Sequence, residues 1–308
     1  MSNPLILVTG CHGQLGSAIQ LHWDASHISA SFDLLPVDAE QLDLTDSEDL
    51  VAFLEQLRPS IIINAAAFPQ VDDAEVNQKA AYEVNASGVH SLARWCQGTN
   101  CKLIHISTDF VFDGLAKTPY AAAAKTNPLS VYGASKLVGE NYVLELLPRS
   151  GCVVRTSWLY SEYGNNFVKT MLRLMREESE LKVVDDQIGS PTSVHTLTLY
   201  LFELIRSGAT SGLYHWCDGG EISWFNFAQE IYHQGKGFGL IDHEVTIQPI
   251  ASSEYPTRAT RPAYSVMDRS ASLALMGGAA EDWKSALQQV LRNLARQRSF
   301  GPQRNSRE

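Results

Sequence analysis

Apolar positions along the chain follow two rhythms. Short, nearly unbroken apolar runs occur at Pro4 to Thr9, Leu34 to Asp38, Ile61 to Ala67, Leu103 to Ile106 and Gly151 to Arg155. Runs of that length, rich in Val and Ile, are the pattern of strands buried on both faces. Between them lie stretches at helical spacing: Ser17 to Leu21, Ser47 to Leu57, Ala80 to Cys96, and the segment that follows Tyr132. Thr45 or Asp46 can cap the second helix, which Arg58-Pro59 ends. Strand alternating with helix predicts an α/β fold with a doubly wound, Rossmann-type parallel sheet and ligands at the carboxyl ends of its strands.

The second half is built of shorter pieces. After the returning strand at Gly151 come a helix over Thr196 to Arg206 and an aromatic helix start at Trp224 to Phe227, capped by Ser223. Gly235 to Gly239 reads as a loop, and Asp282-Trp283 opens a last amphipathic helix to about Arg296. The division expected is a dinucleotide-binding domain over 1–163 plus roughly 192–221, and a smaller interleaved substrate domain from 164–191 and 222–296. The arginine-rich tail 297–308 is expected to be frayed or disordered.

Composition narrows the partners. The 308 residues are 44% hydrophobic and 19% charged, ordinary globular values, and the net charge of −10 argues against nucleic acid or an anionic membrane surface. No run is long enough to span a membrane and no signal-peptide pattern opens the chain, so a cytoplasmic protein is expected. The five cysteines are scattered and the nine histidines show no ligand spacing, so free thiols and no metal site are expected.

Chemistry concentrates at three places. Gly10, Gly13 and Gly16 form G-x-x-G-x-x-G between the first strand and first helix, where a tight turn brings backbone N–H groups to a pyrophosphate. Asp38, about twenty residues on, can accept from an adenosine ribose or merely start a turn; no Lys or Arg follows it to hold a 2′-phosphate. The strand at Leu103 delivers Ser107, Thr108 and Asp109, and Tyr132 and Lys136 then stand one helical turn apart. A nearby ammonium favours the phenolate, so this pair, with the Thr108 hydroxyl, suits proton exchange with a carbonyl or alcohol. With 11 tyrosines, chance supplies about 0.3 Tyr-x-x-x-Lys spacings. The second copy, Tyr232 to Lys236, has Gly235 inside it and glycines beyond, which reads as chance on a fraying helix end. Asn85 either faces inward, bracing the sheet or Lys136, or lies on the surface.

The glycine turn, Asn64-Ala65-Ala66-Ala67, Ser107-Thr108-Asp109 and Tyr132-x-x-x-Lys136 together resemble the extended short-chain dehydrogenases/reductases. Val71-Asp72-Asp73-Ala74-Glu75, Asp109-Phe110-Val111-Phe112, Arg155-Thr156-Ser157-Trp158, Gly164-Asn165-Asn166-Phe167, Asp186 to Thr192, Gly212 to His215 and Arg261-Pro262 narrow the resemblance to the dTDP-4-dehydrorhamnose reductases, up to about Leu294.

That resemblance implies reduction of the C4 ketone of dTDP-4-dehydro-β-L-rhamnose with NADPH or NADH. It implies Thr108, Tyr132 and Lys136 as catalytic residues. It assigns the cofactor to Gly10, Gly13, Gln14, Leu15, Gly16, Asp38, Asp43, Leu44, Ala66, Ala67 and Phe68, together with Tyr132 and Lys136. Thr108, Asp109, Trp158, Asn165, Asn166 and Arg261 are implied for the dTDP-sugar. The other readings are a core position for Trp158, helix capping for the two asparagines and a surface position for Arg261.

The chain departs from some members. Phe68 and Pro69 stand where a histidine-threonine pair is found, and Ser17-Ala18 and 191–195 lack the carboxylates that hold a divalent ion between some dimers. No such ion is expected, and hence a monomer or a different homodimer. The alternatives are a nucleotide-sugar epimerase or dehydratase, the latter disfavoured by Phe110 in place of a second acid, and a non-catalytic subunit like the β subunit of methionine adenosyltransferase.

Overall fold

The computed structural model describes residues 3–278 and 281–300. Six parallel strands form the central sheet: β1 (Leu5–Thr9), β2 (Asp33–Val37), β3 (Ile61–Asn64), β4 (Lys102–Thr108), β5 (Gly151–Thr156) and β6 (Gly212–His215). Their order is β6-β5-β4-β3-β1-β2. The chain leaves β1 toward one edge and returns to β3 on its other side, so a crevice opens there beyond the carboxyl ends.

Successive residues of each strand point to opposite faces, and both faces are covered. Ile6, Val8, Ile63 and Val154 pack under the helices Gln14–His22 and Val194–Arg206. Leu7, Ile62, Leu103 and Val153 pack under Ser47–Leu57, Val89–Gln97 and Val131–Leu146. A third core, with Tyr160, Leu172, Phe227, Trp283 and Leu287, joins the helices Phe167–Glu177, Trp224–Gly237 and Trp283–Phe300 beside the sheet. The five cysteines are buried and free. No helix among the described residues is long and apolar enough to cross a membrane.

Local chemistry explains most element ends. Asp46 caps its helix by accepting from Glu48 and Asp49 N–H, Ser130 accepts from Gly133 N–H, and Ser223 with Asn226 closes a capping box.

Several elements differ from the sequence reading: the first helix begins at Gln14 rather than Ser17, and strand β6 is not among the apolar runs. The helix from Trp224 continues through Gly235 to Gly237, because Gly235 is a packing position: a side chain there would meet Leu172 at 3.0 Å and Ile241 at 3.2 Å. Helix Val194–Arg206 starts two residues early, on the Ser193 cap. The stretch around Asn85 is not one α-helix but contains a π-helical turn, Glu83–Gly88. That turn places the Asn85 carbonyl where a Cβ on Gly139 would lie 2.2 Å away. The last helix runs to Phe300, beyond Arg296, and the tail expectation for 301–308 lies outside the described residues.

Candidate active site

A cleft of about 1000 Å³ follows the carboxyl ends of the strands and then passes under Trp158 and Trp224. Its walls come from the glycine turn, the loops after β2 and β3, the end of β4, the Val131 helix, the loop after β5, and Arg261.

The glycine turn is built for close approach. Gly10 has φ +69°, and a side chain there would meet the Ala66 backbone at 2.9 Å. A Cβ on Gly16 would lie 2.4 Å from the Gly10 carbonyl, so the helix can start only this near the strand with glycine there. The helix opens onto the cleft through Gly13, Gln14, Leu15 and Gly16, with the N-terminal partial charge that suits a diphosphate. At the far end Asp38 follows β2; its Oδ1 accepts from Glu40 and Gln41 N–H at 2.9 Å, and Oδ2 lies 3.1 Å from His12 Nε2. The Gln41 hydrogen bond first, then those of Glu40 and His12, lowers the Asp38 pKa. Asp43 and Leu44 also line this end, and Asp43 is held by Thr45. Groove, turn and acid fit an elongated dinucleotide.

At the cleft centre β4 presents Thr108 and Asp109, and the Val131 helix presents Tyr132 and Lys136. Thr108 Oγ1 accepts from Phe110 N–H and donates to Asp109 Oδ1, each at 3.2 Å. The helix sits so near the turn that follows β4 that a Cβ on Gly133 would lie 2.2 Å from the Phe110 carbonyl. Lys136, 2% exposed, donates to the Ile106 carbonyl at 2.6 Å and lies 3.5 Å from His105 Nε2. Burial pulls its pKa down to about 8, against the opposing pull of Glu140.

Electrostatics at Tyr132 reverse the sequence expectation. Burial pushes the phenol up to about 12; Thr108 acts downward and the Asp109 charge upward. The lowering expected from Lys136 does not occur, because that amine is turned to the strand carbonyl beneath. Burial likewise raises Asp109 to about 6, and its Oδ2 has no hydrogen-bond partner.

The remaining predicted positions divide. Trp158 lines the cleft with φ +48° and stacks on Trp224 at 3.4 Å between ring centroids. Gly189 lies beneath it; a Cβ would be 2.6 Å from the indole. Asn165, Ala66 and Ala67 also line the cleft. Arg261 lines it while forking onto Asp72, with Nη2 at 2.6 Å from Oδ2 and Nη1 at 3.3 Å from Oδ1, which lowers the Asp72 pKa. Two predicted positions are not among the lining residues. Asn166 caps the Phe167 helix through Lys169 N–H and donates to the Gln14 side chain at 2.9 Å. Both backbone groups of Phe68 are held by the Asn85 side chain, and Pro69 takes the wall instead. Asn85 therefore braces that loop, and by donating to Ser135 at 3.0 Å ties it to the helix that carries Tyr132 and Lys136 rather than touching Lys136.

Sequence reasoning missed Trp224, which read only as part of an aromatic helix start, and the buried Glu140–Arg155 pair. Arg155 forks onto Glu140, which also accepts from Ser107, so the one carboxylate a turn beyond Lys136 is occupied. Its signal was an acid and an arginine at positions that periodicity places inside. Cys11, His12 and Asp38 bring ligand-type atoms within 4.8 Å of one another, a grouping that sequence spacing does not show.

Residues 4–296 match the family model described as RmlD substrate binding domain. A dTDP-4-dehydrorhamnose reductase of Aggregatibacter actinomycetemcomitans is 38% identical over 291 residues, covering 92% of this chain and 97% of that protein. The crystal structure of a dTDP-4-dehydrorhamnose reductase from Clostridium acetobutylicum superposes with a TM-score of 0.87 at 38% identity, covering 94% of this chain and 99% of that one. The enzyme of that name from Bacillus anthracis, in complex with NADP, gives 0.87 at 37% identity, with 94% and 99% covered.

Proposed function

This chain belongs to the dTDP-4-dehydrorhamnose reductase family, and on that premise we propose that it reduces the C4 ketone of dTDP-4-dehydro-β-L-rhamnose to dTDP-L-rhamnose with NADPH or NADH. The observation that carries the reading is the meeting of Thr108, Tyr132 and Lys136 in one cleft with the glycine turn.

The bound nicotinamide supplies the hydride, and the chain's residues supply position and proton. The turn at Gly13 and Gln14 receives the diphosphate, with Asp38 and Asp43 at the adenosine end. Lys136, facing the same cleft, is the donor for the nicotinamide ribose. Tyr132 delivers its proton to the C4 oxygen. A phenol near 12 is fully protonated at neutral pH, the state a donor needs, and a secondary alkoxide is the stronger base. Thr108, fixed by Phe110 N–H, turns its hydroxyl proton from Asp109 to that same oxygen when the ketone is bound. The Trp158–Trp224 stack covers the sugar side and keeps water out, while Asn165 and Arg261 are placed for the nucleotide.

The test is to mix pure protein with dTDP-4-dehydrorhamnose and either cofactor. Reduced nicotinamide is expected to disappear mole for mole as dTDP-L-rhamnose forms. Absence of consumption with both cofactors refutes the reading.

A further inference from the structure

One group of buried polar side chains has no part in that chemistry. Thr9, Asn64 and His105 are register partners on β1, β3 and β4, and each is at most 2% exposed. Their neighbours in the same row are apolar, Val37 on β2 and Val153 on β5. Thr9 Oγ1 lies 2.7 Å from Asn64 Oδ1, Asn64 Nδ2 lies 3.0 Å from His105 Nδ1, and His105 Nε2 faces Lys136 Nζ at 3.5 Å. Polar groups inserted into an apolar layer cost stability unless every member is satisfied.

The row has two ways to be satisfied. A neutral imidazole carries one N–H. When Asn64 donates to Nδ1, the proton sits on Nε2, and Lys136 must be a neutral amine to accept it. When Lys136 is an ammonium and donates to Nε2, the imidazole proton sits on Nδ1. Asn64 then turns its oxygen to His105 and its amide nitrogen to Thr9. That frees the Thr9 hydroxyl proton, and Thr9 borders the cleft beside the glycine turn while accepting from Ala66 N–H at 3.3 Å. The two arrangements differ by one proton, on Lys136.

We propose that His105 is a positioning residue for Lys136, and that the Thr9–Asn64–His105 row links the charge on that amine to occupation of the dinucleotide groove. The inference rests on Lys136 being the catalytic amine. An anionic group accepting from Thr9 favours the arrangement in which Lys136 is charged. The groups facing this amine are few: Glu140, already committed to Arg155 and Ser107, the Ile106 carbonyl, and His105 itself. The charged group acting on His105 is Lys136.

The test reads the imidazole directly and needs no turnover. In protein with 15N-labelled histidine, His105 is expected as the Nδ1–H tautomer at low pH and Nε2–H at high pH, with the crossover displaced upward by NADP+. One tautomer at every pH, with and without NADP+, overturns the proposal. In an active preparation, His105→Leu is expected to move the basic limb of the kcat profile down by about one pH unit and to lower kcat by about tenfold with KM unchanged. Gln, which can donate on one side and accept on the other, restores the limb. A folded His105→Leu protein with the wild-type profile also overturns the proposal. Should the protein not turn over the ketone at all, the reductase reading fails while the tautomer result stands by itself.

Discussion

Two helices of this protein carry tyrosine and lysine four residues apart, and only one pair lies in the cleft. On Val131–Leu146, Tyr132 and Lys136 line the cleft beside the end of the inner strand β4, the lysine 2% exposed and bonded to a backbone carbonyl. On Trp224–Gly237, Lys236 pairs with Glu244, whose other oxygen accepts from the Tyr232 hydroxyl at 2.5 Å. The hydrogen bond with Glu244 raises the Lys236 pKa, whereas burial lowers that of Lys136 to about 8. Spacing puts both pairs on one helix face. Environment decides the rest: a carboxylate in water locks a lysine in its charged form, and burial without a free carboxylate leaves it poised to change.

The comparison breaks most visibly in turnover. Tyr132→Phe is expected to lose about 10³-fold in kcat, the scale of a positioned proton donor, with NADP+ affinity retained by fluorescence titration. Tyr232→Phe is expected to leave kcat unchanged; a loss there would mean that the second pair shares the chemistry.

Helix placement gives the next effect. Gly133→Ala forces a methyl against the Phe110 carbonyl at 2.2 Å. It is expected to cost about 3 kcal/mol in urea unfolding and to displace Tyr132.

Lys136→Met separates stability from function. The lysine's pKa is about 8 in the folded protein against an ordinary 10.5. Below about 8 the fold holds a buried ammonium at a cost; between the two values the unfolded chain binds more protons, so stability rises with pH. Removing the amine is expected to stabilise the protein by about 2 kcal/mol at pH 7, with the gain vanishing above the unfolded value, while activity falls. Lys236→Met is expected to leave Tm unchanged across that range.

The smallest effect has the opposite sign to Gly133→Ala. Gly237 ends its helix without a positive φ, and a Cβ there would stand in open space. Gly237→Ala is expected to stabilise by about 0.5 kcal/mol, read as a small rise in Tm.

These contrasts mark where the sequence was legible. Apolar runs placed five of the six sheet strands, all but Gly212–His215, and the glycine turn and the Asp46 and Ser223 caps followed from rules acting over three or four residues. Gly235 misled because glycine looks alike whether it breaks a helix or admits a neighbour. The Glu140–Arg155 fork, the Trp158–Trp224 stack and the Thr9–Asn64–His105 row depend on strand register and long-range packing, which join residues far apart in the chain. The direction of the Tyr132 shift was hidden for a related reason. Helical spacing brings an amine near a phenol, but the carbonyl of Ile106 decides where that amine points.

A crystal structure with NADP+ and dTDP-L-rhamnose tests the central claim most directly. Tyr132 Oη and Thr108 Oγ1 are expected within about 2.6–3.2 Å of the sugar O4, with the nicotinamide ring against C4 and Lys136 at its ribose. A sugar bound with O4 out of reach of Tyr132, over a correctly seated nicotinamide, would contradict it.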